Sequence, residues 1–275
     1  MDIPFLRRRP NVAVIRLDGV IAPQPGGFGA PTLSAQRLNP VIERAFKLPR
    51  LAGVMLAVNS PGGSAAQSSL IAARIRAMAE EKAVPVVAVV EDAAASGGYW
   101  LACAADEIIV DPTSILGSIG VISAGFGFAD AIARIGVERR VTTAGTEKSL
   151  MDPFRAATPA QQARLEELLA TLHEEFKTWV RGRRAGKLKA EEDALFTGRF
   201  WTGREAVALG LADGFGTLHG EAKRRFGDKA RLVPIGQPRR SLPWRLLGGT
   251  GMATEAVEAA FTAAEHRAAW SRIGL

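Results

Sequence analysis

Residues 86–100 read VVAVVEDAAASGGYW. The valine run, led in by Pro85, predicts a buried strand, because β-branched side chains suit a pleated surface. Small residues follow, then Ser96-Gly97-Gly98, then YWLACAAD, which predicts a short helix. A buried strand that passes into a helix through a tight turn is the unit of a parallel α/β sheet.

The flanking sequence repeats that unit. NVAVIRLDGVIA (11–22), LAGVMLAVNS (51–60) and EIIVDP (107–112) are apolar, strand-like runs. Between them, residues 34–49 form a helical pattern with Leu38, Ile42 and Phe46 at spacing four, and Pro40 near its start. Residues 64–82 form another, with Leu70, Ile71, Ile75 and Met78 on one face. Residues 23–34 are rich in Pro and Gly and predict a loop. The order β, α, β, α, β, α, β implies a mainly parallel sheet covered on both faces. Downstream, ILGSIGVIS is a strand or turn, a short helix is expected near 129–135, and residues 137–154 are expected to hold a strand and an irregular segment. A long helix begins at Thr158, where Pro159 and Gln161 fit a capping box. Its apolar stripe runs through Leu165, Leu168, Leu169, Leu172, Phe176, Trp179 and Val180. Residues 196–216 read as a turn, a short helix and a strand-like return. From about residue 237 the composition shifts to Pro, Arg and Gly. This divides a domain at 1–236 from an extension at 237–275, in which 252–270 predicts an Ala-rich amphipathic helix.

Composition narrows the class. The 275 residues are 47% hydrophobic and 23% charged, ordinary for a globular protein large enough to bury a core. The single cysteine, Cys103, excludes an intrachain disulfide and fits a reducing compartment. The net charge of +7 is partly clustered, at Arg7–Arg9, in 181–184 and at Arg239-Arg240. Such clusters suit an anionic surface, although solvated surface charge is the commoner case. Aromatic residues do not interleave with the basic ones, so no nucleic-acid partner is expected. The first 22 residues have a basic patch but no apolar signal core. The uncharged stretch 112–129 is diluted by Gly and Ser, so no transmembrane helix is expected. The expectation is a cytoplasmic protein, with peripheral membrane contact compatible.

Few residues are placed for chemistry. None of His173, His219 and His266 lies near the end of an apolar strand, which argues against a Ser-His-Asp triad. There is no HExxH and no Cys/His pair at ligand spacing, so no metal is expected. Ser96 follows a strand and precedes a helix, whose first amides and dipole favour negative charge. It is either a nucleophile on a tight elbow or a helix cap, and local sequence favours neither. NSPGG (59–63) ends another strand. Amides of Gly62 or Gly63 and of Gly97 are candidate oxyanion donors, unless Pro61-Gly62 is an ordinary turn. Without histidine, the base would be a lysine. A neutral lysine at pH 7 requires a downward shift of about three units, or about 4 kcal/mol, which burial can supply. Lys148, in TAGTEKSLMDPF, is either that base or a solvated loop lysine. Glu147 and Asp152 would favour its charged form if close in space.

Four segments, VNSPGG, ASGGYWLACAADEIIVDPTSILGSIGVI, TAGTEKSLMDPFR and GRFWTGREAVALGLADGFG, follow in order over roughly residues 11–220. Together they resemble the signal peptide peptidase A family of serine peptidases, SohB-like members included. The resemblance implies a ClpP/crotonase-like fold and a Ser/Lys dyad without cofactor. On this chain it implies Ser96 as nucleophile, Lys148 as general base and Ser118 as the residue orienting the lysine. It also implies Gly62, Gly63 and Gly97 at the oxyanion, and Gly117, Ile119 and Gly120 along a wall where an extended peptide adds as a strand. Ring- or bowl-like homo-oligomers are implied too, with serine and lysine from one protomer or from neighbours. In contrast to the membrane-bound members, no transmembrane anchor is expected from this sequence, and no counterpart of the duplicated domain of the longest members is expected either. The expected function is a serine endopeptidase acting on hydrophobic or unfolded peptides, such as signal-peptide remnants. Its rivals are a catalytically silent scaffold in membrane-protein quality control and a crotonase-like acyl-CoA enzyme.

Overall fold

The computed structural model describes residues 9–23, 32–145, 147–236 and 267–274. The elements run β1 (Asn11–Asp18), β2 (Val20–Ile21), β3 (Thr32–Leu33), α1 (Ala35–Phe46), β4 (Leu51–Ser60), α2 (Ala65–Lys82), β5 (Val86–Ala95), α3 (Gly97–Ala102) and β6 (Glu107–Val110). They continue with β7 (Ile115–Gly117), α4 (Ala129–Arg134), α5 (Pro159–Arg183), α6 (Glu192–Leu195), β8 (Phe200–Thr202), α7 (Gly203–Ala208), β9 (Gly214–Phe215), α8 (Leu218–Phe226) and β10 (Arg231–Pro234). The fold is mixed α/β with a mostly parallel sheet, as expected.

The sheet runs β10-β1-β4-β5-β6-β9, and each neighbouring pair is parallel. Strand alternation divides its side chains between two layers. Ala13, Ile15, Leu56 and Val90 face a core with Ile42, Ile71 and Leu101 from α1, α2 and α3. Val12, Val14, Val87 and Val89 face Ala222 and Phe226 of α8. Gly53 makes that second layer possible, because a Cβ there would run into the Phe226 ring. The long strand β5 is central. β4 lies on one edge; β6 pairs its first half and β7 its second, through Ala93, Ala94 and Ala95.

Several expectations need correction. Leu70 is 55% exposed, while Ile71, Ile75 and Met78 are buried. At 100° per residue Leu70 falls one step off the buried stripe, which Ser68, Ile71, Ala72, Ile75, Met78 and Ala79 form. No described residue of 137–154 is in a strand. α8 and β10, unread in the sequence, add a helix and an edge strand. The capping box at Thr158 and Gln161 is present, but only Phe176 and Val180 of the α5 stripe are buried, and Leu168 and Leu172 are exposed. Between Gly120 and Glu175 no described residue is buried at all. The expected helix at 252–270 lies outside the described residues apart from its last turn, as do Arg7 and Arg8 of the basic patch; residues 267–271 are helical.

The end of α5 is tied beneath α3. Trp100 stacks on Phe176 with ring centroids 4.7 Å apart, and Trp179 Nε1 donates to the Trp100 carbonyl at 3.0 Å. Arg184 is buried and donates to Asp213 Oδ2 at 2.6 Å and to the Gly210 carbonyl. Burial opposes the Asp213 carboxylate, but Arg184, the Ile108 amide and Lys187 outweigh it and hold the carboxyl below its ordinary value. That stabilisation is present above the unfolded carboxylate range and is lost as pH falls through the folded value. Asp213→Asn leaves the Arg184 charge buried and unpaired, so it should lower stability at neutral pH by about 3 kcal/mol. The denaturant midpoint measures this, and it should be less sensitive to acid in the variant.

Candidate active site

β4 and β5 are parallel, so their carboxyl ends lie together, where open α/β sheets bind ligands. Ser60-Pro61-Gly62-Gly63 leaves one and Ser96-Gly97-Gly98 leaves the other. Close approach of these turns requires glycine. A Cβ on Gly62 (φ +101°) would lie 2.8 Å from the Ala95 oxygen, the Gly97 nitrogen and Ser96 Cβ. Gly63 (φ +143°) is held against the Ile21 carbonyl, where any side chain would collide with backbone.

Ser96 sits at φ +50° and ψ −121°, outside the regions an L-residue normally adopts, and its side chain makes no cap hydrogen bond. Backbone strain of this kind costs about 1–3 kcal/mol and persists only where the surroundings enforce it. Here the Ser96 N–H donates to the Gly117 carbonyl at 2.8 Å and the Ser96 carbonyl accepts from Trp100 N at 3.0 Å. The hydroxyl is therefore presented by a sharp strand-to-helix turn, the geometry of a nucleophile elbow. Ser118 is a second strained serine, at φ +52°.

A cleft of about 550 Å³ opens here. Ser96, Gly97, Gly62, Gly63, Ser118 and Gly120 line its polar part. Trp100, Leu169, Leu172, Phe176 and Phe200 give it apolar walls. Ala269, Arg272 and Ile273 also line it, with Ile273 buried against Ala93 and Ala95.

The amides sort themselves by existing partners. Gly62 N–H donates to Ser60 Oγ at 3.2 Å. Ile21 N–H donates to the Gly62 carbonyl and Ser64 N–H to the Ile21 carbonyl, at 2.9 and 2.8 Å. This parallel bridge uses the residues either side of Gly63 and leaves the Gly63 N–H without a partner among the described residues. The Gly97 N–H is likewise unpaired among them. The Gly63 nitrogen lies 3.4 Å from where a Cβ on Gly97 would sit.

The expected wall is only partly available. Gly117 pairs with Ala95 on one side and Phe200 on the other, so neither backbone edge is open. Beyond it, Gly120 N–H donates to the Ser118 carbonyl at 2.9 Å, a tight turn centred on buried Ile119. Among the described residues the free edge begins only at the Gly120 carbonyl.

Lys148 does not join the cleft. It is exposed and does not line it. Its acidic neighbours are engaged elsewhere, Glu147 with Arg164 at 3.6 Å and Asp152 with Arg139 at 3.3 Å. Cys103 is buried beneath α3, and burial pushes its thiol up to about 12, so it carries no thiolate at neutral pH. Among the described residues no cluster of His, Cys, Asp or Glu is placed to hold a metal, and no helix is long and apolar enough to cross a membrane. Ser60, whose Oγ takes the Gly62 amide, and Gly198, which lines the cleft, fall within the motifs NSPGG and GRFWTG, which alone give them no role.

Comparison with known proteins places the chain in a family. A protein of Brucella abortus named Na(+)/H(+) antiporter NhaA is 46% identical over 276 residues, which are 96% of this chain and 37% of that protein. The chloroplastic serine protease SPPA of Arabidopsis thaliana is 30% identical over 260 residues, 91% of this chain and 38% of that protein. The chain thus spans less than two fifths of the length of either curated relative. A solved membrane-bound stomatin-specific protease is similar at a TM-score of 0.48 and 13% identity, over 84% of this chain and 99% of that one. The model of peptidase family S49 matches residues 78–231, more than half of the chain and inclusive of Ser96, Ser118 and Lys148. The chain belongs to peptidase family S49.

Proposed function

We propose that this chain is a serine endopeptidase that cuts hydrophobic or unfolded peptides with a Ser96/Lys148 dyad. The observation that carries the reading is the strained, uncapped Ser96 beside two glycine amides that have no partner among the described residues. Ser96 Oγ attacks the scissile carbonyl and its proton passes to a neutral Lys148 amine. The carbonyl oxygen, now an oxyanion, accepts hydrogen bonds from the Gly63 and Gly97 amides. Collapse breaks the C–N bond, Lys148 returns the proton to the leaving amine, and water then releases the acyl group from Ser96. The apolar cleft walls favour apolar side chains. Ser118, which lines the same cleft as Ser96, orients the lysine.

Lys148 acts as base only when neutral, and an exposed lysine stays charged. The reading therefore includes a homo-oligomer in which a neighbour brings Lys148 to Ser96 and desolvates it. The support is the uncovered stretch from Gly120 to Glu175, with Phe126 83% and Ile135 74% exposed. Contiguous apolar surface of this kind marks an interface. A workplace at a membrane, by peripheral contact, is supported by the shared stretch in an antiporter-named relative. The silent scaffold is the second reading, favoured by Lys148 standing outside the cleft; no finding favours acyl-CoA chemistry. A fluorophosphonate probe followed by mass spectrometry tests the proposal. Label on Ser96 in an oligomer of defined native mass is expected, and an assembled protein that never labels there would leave the scaffold.

A further inference from the structure

The proposed chemistry gives none of the three histidines a task, and among the described residues His173 is the one beside the cleft. It lies on α5 between Leu169 and Phe176, both of which line the cleft, so a polar ring interrupts the apolar stripe. Its Nε2 lies 3.0 Å from the Ile119 carbonyl. A carbonyl only accepts, so Nε2 carries a proton here in either the neutral or the charged ring. The same carbonyl accepts from Gly198 N–H at 3.1 Å, and Ser118 N–H donates to the Arg199 carbonyl at 2.8 Å. Two of these three bonds come from one loop, at 198–199. The third ties the turn to a separate element.

That turn matters because Ile119 separates the two cleft-lining residues Ser118 and Gly120. Ser118 holds a left-handed backbone at φ +52°, which a serine leaves when its surroundings permit. Gly120 packs closely on Gly198, where a Cβ on Gly120 would lie 2.9 Å from the Gly198 Cα, so that side of the turn is held by the loop. The turn can still lift away on the side of α5, where the His173 bond is the polar tie.

We propose that His173 is a positioning residue: by holding the Ile119 carbonyl it fixes the strained Ser118 hydroxyl in the cleft. The proposal rests on the Ser96/Lys148 reading, in which Ser118 orients the base. His173→Ala, His173→Gln and Ser118→Ala are compared in the full chain, with the double variant Ser118→Ala/His173→Ala. Gln is chosen because its amide nitrogen reaches about as far as Nε2. Alanine should lower kcat about tenfold with KM within about twofold, and glutamine should restore most of the loss. The double variant should be no slower than Ser118→Ala alone, since both changes remove one function. Hydrogen exchange of the peptide spanning 115–122 should quicken with alanine and recover with glutamine. Unchanged exchange, unchanged kcat, failure of glutamine to rescue, or losses that multiply in the double variant would each overturn the proposal. Hydrolysis that survives Ser96→Ala would instead overturn the dyad reading, while the exchange data still decide whether His173 holds the turn.

Discussion

Ser96→Ala and Lys148→Ala should each lower peptide hydrolysis by at least about four orders of magnitude, and the two inactive variants should regain activity when assembled together. The first half follows from removing the attacking oxygen or the proton acceptor. The second follows from where Lys148 stands. It is exposed and outside the cleft that holds Ser96, while a base working at neutral pH must be desolvated by about 4 kcal/mol. On the proposed reading, a neighbour covering the stretch after Gly120 would supply both position and burial. In a closed ring of randomly mixed subunits, each site needs an intact serine from one protomer and an intact lysine from the next, so co-expression should restore roughly a quarter of the wild-type activity. Recovery of that order would assign the dyad to two protomers. No recovery in mixed assemblies of confirmed composition, with both single variants dead, would assign it to one.

Gly63→Ala should be the most damaging of the glycine changes at the cleft. Its φ of +143° is adopted almost only by glycine, and the added carbon would run into the Ile21 backbone through which Gly62 and Ser64 are bridged. Backbone strain and overpacking together cost about 4 kcal/mol, which urea unfolding would measure. Any variant that still folds must swing the amide aside, with a loss in kcat of about 100-fold or more. A stable and fully active Gly63→Ala protein would remove the Gly63 amide from the oxyanion site.

The central sheet was legible because parallel strands buried on both faces read as unbroken apolar runs, and β1, β4, β5 and β6 all do. The strand-to-helix passage at Ser96 was legible for the same reason. What sequence could not convey is conformation at single residues. Nothing in ASGGYW distinguishes a capping serine from one strained at φ +50°; the backbone angle and the missing cap bond do. The fate of individual amides was equally hidden, since Gly62 and Gly63 look alike until Ser60 takes one of them. Gly117 was read as an open edge because β8, its second partner, comes from a segment more than eighty residues later. The α5 stripe was read correctly as apolar, but an apolar stripe does not say whether its cover belongs to the same chain.

That uncovered stretch has a consequence for timing. If a neighbour must cover residues after Gly120 before Lys148 loses its charge, a freshly made chain is harmless to the unfolded polypeptides around it. Catalytic power would then rise faster than linearly with protein concentration, and mass action, rather than a cleaved pro-segment, would decide when cutting begins.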